Sequence, residues 1–154
     1  MTSDKKMRIA LLAGGKSGER EVSLSGAAVF EQALDPDKFI IRRYDPAYDL
    51  ADLARDSKEI DFAFILLHGL FGEDGSVQGM LDLLDIPYQG SGILGSAVAM
   101  DKNLAKVLYR MEGIPVADWQ VVTSADEAHC EQMAREMGLP LVIKPVRDLS
   151  LIHI

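Results

Sequence analysis

The chain has 154 residues, 48% hydrophobic and 26% charged, and its 24 acidic against 16 basic side chains leave a formal net charge of −8. That is the balance of a globular protein, and a chain of this size buries about two-thirds of its unfolded surface without needing disulfide or metal support. An acidic chain lacks the clustered Lys and Arg that nucleic acid or an anionic membrane calls for, so neither is an expected partner and small molecules are the better ligand class. Cys130 is the single cysteine, which excludes an internal disulfide, and it reads as a small buried hydrophobe on a helix. The longest clean apolar run, Phe62 to Leu67, is far short of the roughly 20 residues that span a bilayer. Met1 to Met7 is polar and charged with no apolar signal segment, making a cytoplasmic location the expectation.

In chain order, Arg8 to Ala13 is a nearly continuous apolar run stopped by Gly14-Gly15, the pattern of a strand buried on both faces in a parallel sheet. Helical spacing from Ser23 to Leu34 predicts a helix with Ser23 or Ser25 as its N-cap. Phe39 to Tyr44 and Asp61 to Leu67 predict two further strands, and Ser76 to Leu84 a helix with Val77, Met80, Leu81 and Leu84 on one face. Ile86-Pro87-Tyr88 is a short connecting strand. Ser96 to Glu112 reads as one long helix stopped at Gly113, Trp119 to Val122 as a strand, and Ser124 with Glu127 as a capping box opening a helix that closes at Gly138. Leu141 to Lys144 begins another strand; Trp119, Met133 and Met137 are expected in the core. Alternating strands and helices specify an α/β fold, three-layered around a mostly parallel sheet, with ligands beyond the carboxyl ends of the strands. Residues 1–96 form one such unit; 97–148 begin a second with too few elements to cover its own apolar faces.

Three glycine-bearing loops lie at the ligand-binding edge. The first, Gly14 to Ser23, joins a buried strand to a helix, where free amides and the helix dipole favour a carboxylate or phosphate. It is neither a dinucleotide fingerprint nor a Walker loop, because its glycine and lysine spacing fits neither. Glu19 beside an anion-friendly helix start suits a zwitterion, its ammonium on Glu19 and its carboxylate on the amides, although surface pairing of Glu19, Arg20 and Glu21 is the plainer alternative. In the second loop, His68 either meets a substrate group or holds the first loop, while Glu73 and Asp74 are explained by capping of the next helix. Gly90-Ser91-Gly92 forms the third. Lys144, ending a Leu-Val-Ile run, is placed to meet a phosphate, whereas Lys106, one turn beyond Lys102, reads as solvated.

The stretches Gly14 to Gly26, His68 to Met80, Pro87 to Gly92, Met100-Asp101-Lys102 and Lys144-Pro145 together resemble the D-alanine–D-alanine ligase family, in order and at matching spacing from about Arg8 to Asp148. The resemblance implies a Rossmann-like pre-ATP-grasp domain followed by an incomplete ATP-grasp domain. It further implies an enzyme in which ATP phosphorylates one D-alanine carboxylate and a second D-alanine amine attacks the acyl phosphate, for peptidoglycan precursor synthesis, with Mg2+ or Mn2+ at the phosphates. By the same resemblance Glu19 binds the first D-alanine's ammonium and is the catalytic-site residue, Val22, Ser23 and His68 wall that subsite, and Lys102 and Lys144 contact the nucleotide. Metal ligands and the second amino-acid subsite would come from sequence beyond Asp148, and the parent enzyme would be a homodimer. Leu149 to Ile154 departs from the family pattern and matches an in-frame translation of a transposase adapter, so these six residues are expected to be foreign and His153 not a ligand. The chain alone is then expected to be inactive. A D-alanine–D-lactate or D-serine ligase would share every motif seen here, and a non-catalytic α/β module binding an amino acid or nucleotide is the alternative from another class.

Overall fold

The computed structural model describes residues 5–147, and the chain divides into two compact units, 1–97 and 98–154. The expectations for Leu149 to Ile154, Ser150 and His153 included, lie outside the described residues.

The first unit is built around β1 (Met7–Leu12), with β2 (Phe39–Tyr44) and β3 (Phe62–Ile65) parallel to it on either side. Met7 pairs with Phe39 and Ile9 with Phe62, which sets the register of the sheet. A central strand has no solvent face, and Ala10, Leu11, Leu12 and Ala13 are accordingly fully buried. Leu11 and Ala13 pack with Ala27 and Phe30 of α1 (Arg20–Ala33) on one side of the sheet. Ala10 and Leu12 pack on the other with Leu53 of α2 (Leu50–Arg55) and with Val77 and Leu81 of α3 (Ser76–Leu83). Each leucine so buried contributes about 2 kcal/mol of transfer free energy. The result is the three-layer α/β unit that the continuous apolar text of β1 requires. Tyr88 extends the sheet by a single parallel bridge to Ala63. Beside it the Gln89 side-chain amide imitates a strand, accepting from Ile65 N at 3.0 Å and donating to Ile65 O at 2.7 Å.

One ion pair pins the start of this sheet. Asp61 takes the Arg8 guanidinium through both oxygens, at 3.0 and 2.7 Å, and also accepts the Arg8 amide at 2.8 Å. The bidentate fork fixes where β3 enters beside β1.

Several local expectations are corrected. Helix α1 begins at Arg20, so Ser23 lies within its first turn and is no N-cap. Helix α2 was not expected; it fills the β2 to β3 crossover with a short amphipathic turn anchored by Leu53. The helix read over Ser96 to Glu112 is two, α4 (Ile93–Met100) and α5 (Lys102–Met111). The break is at Asp101, whose extended backbone and side chain, accepting from Leu104 N, cap α5. In the second unit no strand forms at Trp119 to Val122, and Leu141 to Lys144 shows only a single bridge at Ile143. Trp119 is half-buried rather than core: its indole donates to Asn103 Oδ1 at 2.8 Å, with Lys106 and Arg110 over the ring. That contact and a bond to Ala117 O engage the Lys106 ammonium, which is therefore not simply solvated. The capping box is Thr123 with Asp126, one residue earlier than read, and a 3-10 turn precedes α6 (Cys130–Met137). Helix α6 buries none of its residues, which leaves Cys130 and Met137 exposed.

The Arg8 guanidinium and amide hold the Asp61 carboxyl far below the usual carboxylate range. A depressed carboxylate adds stability that is complete above its unfolded value, about 3.9, and is lost as the pH falls through the folded-state value. Replacing Asp61 by Asn should therefore lower the urea midpoint at pH 7, and its gap to the parent chain should narrow at pH 3. Equal gaps at the two pH values would show that the pair does not act through charge.

Candidate functional site

Two loops meet at the carboxyl ends of β1 and β3, and a buried hydroxyl joins them. Ser23, fully buried, accepts from Gly14 N at 2.8 Å and donates to Leu66 O at 2.6 Å. Both hydrogen-bonding capacities of the hydroxyl are thus used inside the protein. Asp45, directly after β2, organises the same loop. Its Oδ1 accepts from Gly15 N and Ala47 N, each at 2.9 Å, and its Oδ2 meets Arg20 at 2.6 Å, while Arg20 also donates to Gly15 O. Burial alone would raise the Asp45 carboxyl, but the Arg20 ion pair and the two amides outweigh it and hold the group below its ordinary range. Gly14 is required here, at φ +98° with a would-be Cβ 2.5 Å from Asp45 Oδ2.

These bonds change the expected chemistry of the first loop. The amides of Gly14, Gly15, Glu19 and Arg20 all have internal acceptors, namely Ser23, Asp45, the Ser17 hydroxyl and the Ser17 carbonyl. None of the four is open to a ligand carboxylate. The cationic half of the zwitterion reading keeps its acceptor. Glu19 stands at the N-terminal boundary of α1, and its Oε2 is buried with no hydrogen-bond partner. A desolvated carboxylate oxygen without a donor is costly unless something cationic reaches it.

The second loop packs against that oxygen. Gly69 closes over Ser17 and Glu19, so near that a Cβ there would sit 3.4 Å from Glu19 Oε2. The loop is tied by its own acids: Glu73 Oε2 accepts from Gly69 N at 2.7 Å, and Asp74 accepts from Phe71 N and Ser76 N. Gln78 adds a buried bond to Gly72 O at 2.9 Å. Asp74 thus takes the first amide of α3, close to the capping expected of it, whereas Glu73 closes the loop on Gly69 instead of capping the helix. His68 is half-buried and directly precedes Gly69, the residue that closes over Glu19. Val22 is not drawn in. Its side chain is 59% exposed and lines a shallow apolar hollow on α1 with Gly26 and Val29.

In the second unit Lys102 opens α5 and Lys144 is exposed. The segment after Lys144 is fastened to the start of α5, with Lys102 N donating to Val146 O at 3.0 Å and Arg147 to Asp101 Oδ2 at 2.8 Å. The backbone of Lys102 thereby lies beside Val146, two residues beyond Lys144. The Leu104 amide and Arg147 hold the Asp101 carboxyl below its usual range. Among the described residues no group of three or more His, Cys, Asp or Glu side chains could hold a metal ion, and no helix is long and apolar enough to cross a membrane.

The family model described as D-ala D-ala ligase N-terminus matches residues 45–91. A D-alanine–D-alanine ligase of Desulfotalea psychrophila is 60% identical over 140 residues, covering 91% of this chain and 44% of the relative. The chain matches the N-terminal portion of the D-alanine–D-alanine ligases. The crystal structure of the Bacillus anthracis D-alanine–D-alanine ligase complexed with ATP superposes with a TM-score of 0.79 at 40% identity, over 92% of this chain and 48% of that one. A D-Ala:D-Ser ligase of Enterococcus faecalis superposes at 0.72 with 29% identity, over 95% and 54%. The chain spans just under half the length of the curated ligases it matches. Asp45 and Arg20, the organisers of the ligase-like first loop, went unread as site residues; Asp45-Pro46 registered only as a strand end, although a carboxylate at that edge of a parallel sheet was the available signal.

The Ser23 hydroxyl gives a direct test of this architecture. Ser23→Ala leaves a buried Gly14 N–H and Leu66 C=O without partners and should cost about 2 kcal/mol in urea unfolding. A loss within error of zero would mean that water or a rearranged loop replaces the hydroxyl.

Proposed function

We propose that this chain supplies the first-substrate half of an ATP-dependent ligase that joins two D-alanines through an acyl phosphate, for peptidoglycan precursor synthesis in the cytoplasm. The observation that carries the reading is the buried, unpartnered Glu19 Oε2 at the meeting of the two loops, in a chain 60% identical to a D-alanine–D-alanine ligase. Residues 1–96 serve as the substrate domain and 97–148 as the start of the ATP-grasp domain. Glu19 receives the ammonium of the first D-alanine, Ser23 holds the loop that carries it, and His68 flanks it, whereas the exposed Val22 takes no part. Because the first loop's amides at Gly14 and Gly15 are engaged internally, this unit grips the amine and leaves the carboxylate open to phosphorylation.

ATP supplies the phosphoryl group that turns that carboxylate into an acylating agent. The cations Lys102 and Lys144, whose segments are joined by the Lys102 amide on Val146 O, take its phosphates. The described residues do not fit magnesium or manganese, since no carboxylate cluster is present, and whatever metal the phosphates need is held by other residues of the ligase. The whole enzyme works as a homodimer. A D-alanine–D-serine specificity is the second reading, favoured by the likeness to the Enterococcus faecalis ligase, because the amine-binding half would be common to both.

A chimera tests the assignment. Residues 1–147 placed in the Bacillus anthracis ligase, in exchange for the segment they match, should yield D-alanine-dependent phosphate release from ATP. Glu19→Gln in that chimera should lower kcat/KM by about 100-fold or more, as expected for loss of a charge-assisted bond to substrate. The 154-residue chain by itself should release none. A folded chimera indifferent to Glu19 would refute the role of this carboxylate.

A further inference from the structure

Arg20 directly follows Glu19 and carries five N–H donors on a long side chain, yet Glu19 Oε2 remains without a partner. The guanidinium is held elsewhere. Asp45 Oδ2 takes it at 2.6 Å, Gly15 O accepts from it at 2.8 Å, and the Tyr48 ring lies 5.6 Å beneath it. Asp45 is itself fixed, its Oδ1 by the amides of Gly15 and Ala47 and its backbone amide by Asp49. Of the loop's other charges, Glu21 lies in the first turn of α1 without a direct bond to Arg20, and Lys16, the other cation, is exposed.

We propose that Asp45 is a positioning residue for amine recognition: by neutralising Arg20 and anchoring it on the Gly14-Gly15 turn, it keeps the loop's own guanidinium off Glu19, so that this carboxylate stays available to the substrate ammonium. The inference rests on the reading of Glu19 as the amine site. A carboxylate oxygen shut off from water selects the nearest good cation, and the guanidinium of the very next residue is the competitor the chain itself supplies. Asp45 removes the competitor while using the same contact to close the loop. The arrangement therefore acts on ligand affinity and not only on stability.

Asp45→Asn keeps an acceptor for Gly15 N and Ala47 N and removes the charge. In NMR titrations of the full 154-residue chain with D-alanine, this variant should bind about tenfold more weakly, the scale of one competing hydrogen bond between charged groups. Adding Arg20→Gln to Asp45→Asn should restore affinity to within about threefold of the parent chain, a rescue that a purely structural role of the pair would not give. A double variant as weak as Asp45→Asn, or an Asp45→Asn chain that does not fold, would overturn the inference. Crystal structures supply a ligand-free readout: Arg20 within ion-pair distance of Glu19 in Asp45→Asn supports it, and Arg20 still seated on Gly15 O overturns it. Parent-chain binding of D-alanine that is unchanged in Glu19→Gln would instead sink the assignment of the amine site itself.

Discussion

A single buried hydroxyl holds the working edge of this molecule together. Ser23 Oγ bonds the amide that follows β1 and the carbonyl that follows β3, and it does so from within the first turn of α1. Three elements that meet only in the folded chain are thereby fixed at one point. Parallel strands end together at one edge, and the amides and carbonyls released there need partners. A side chain that satisfies one of each sets where both loops run. Glu19, four residues earlier on the same chain, is carried into place under Gly69 as a consequence.

The carboxylates of this edge fall into two kinds. Asp45 and Asp74 each accept two backbone amides, Asp45 pairs with an arginine besides, and both acids are held below their ordinary range despite burial. Glu73 likewise receives the Gly69 amide. Such acids build loops, since each replaces lost hydration by fixed donors. Glu19 differs in having one oxygen shut off from water with nothing donated to it. Among the described residues only the neutral Gln78 Oε1 shares that deficit, and of the two the charged oxygen carries the larger desolvation cost.

The second unit shows the opposite economy. Only Met100 and Ala105 among its described residues are buried, while Val142 is 66% and Leu139 83% exposed. Its order comes from polar fastenings: Asp101 caps α5 and takes Arg147, Asn103 takes the Trp119 indole, and Thr123 with Asp126 closes a capping box. Apolar surface of this kind is normally covered in a finished domain, which accords with ligase relatives about twice as long as this chain.

The sequence by itself determined the first unit's layers, because a strand apolar on both faces has to lie inside a sheet covered on both sides, and β1 to β3 and α3 follow that period within a residue or three at each end. It also determined the glycine loops and put Glu19 at the start of the first helix, since these depend on local spacing. What the tertiary structure decided were the matters settled by atoms distant in sequence. Whether the first loop's amides were open depended on Ser23 and Asp45, 9 and 30 residues from their glycines. Whether one helix or two ran past Asp101 depended on a side chain choosing between cap and helix interior, and whether Trp119 joined a strand depended on the cations and the asparagine of α5. Periodicity records which face of an element is apolar; it carries no information about which donor and acceptor find each other once the chain has closed.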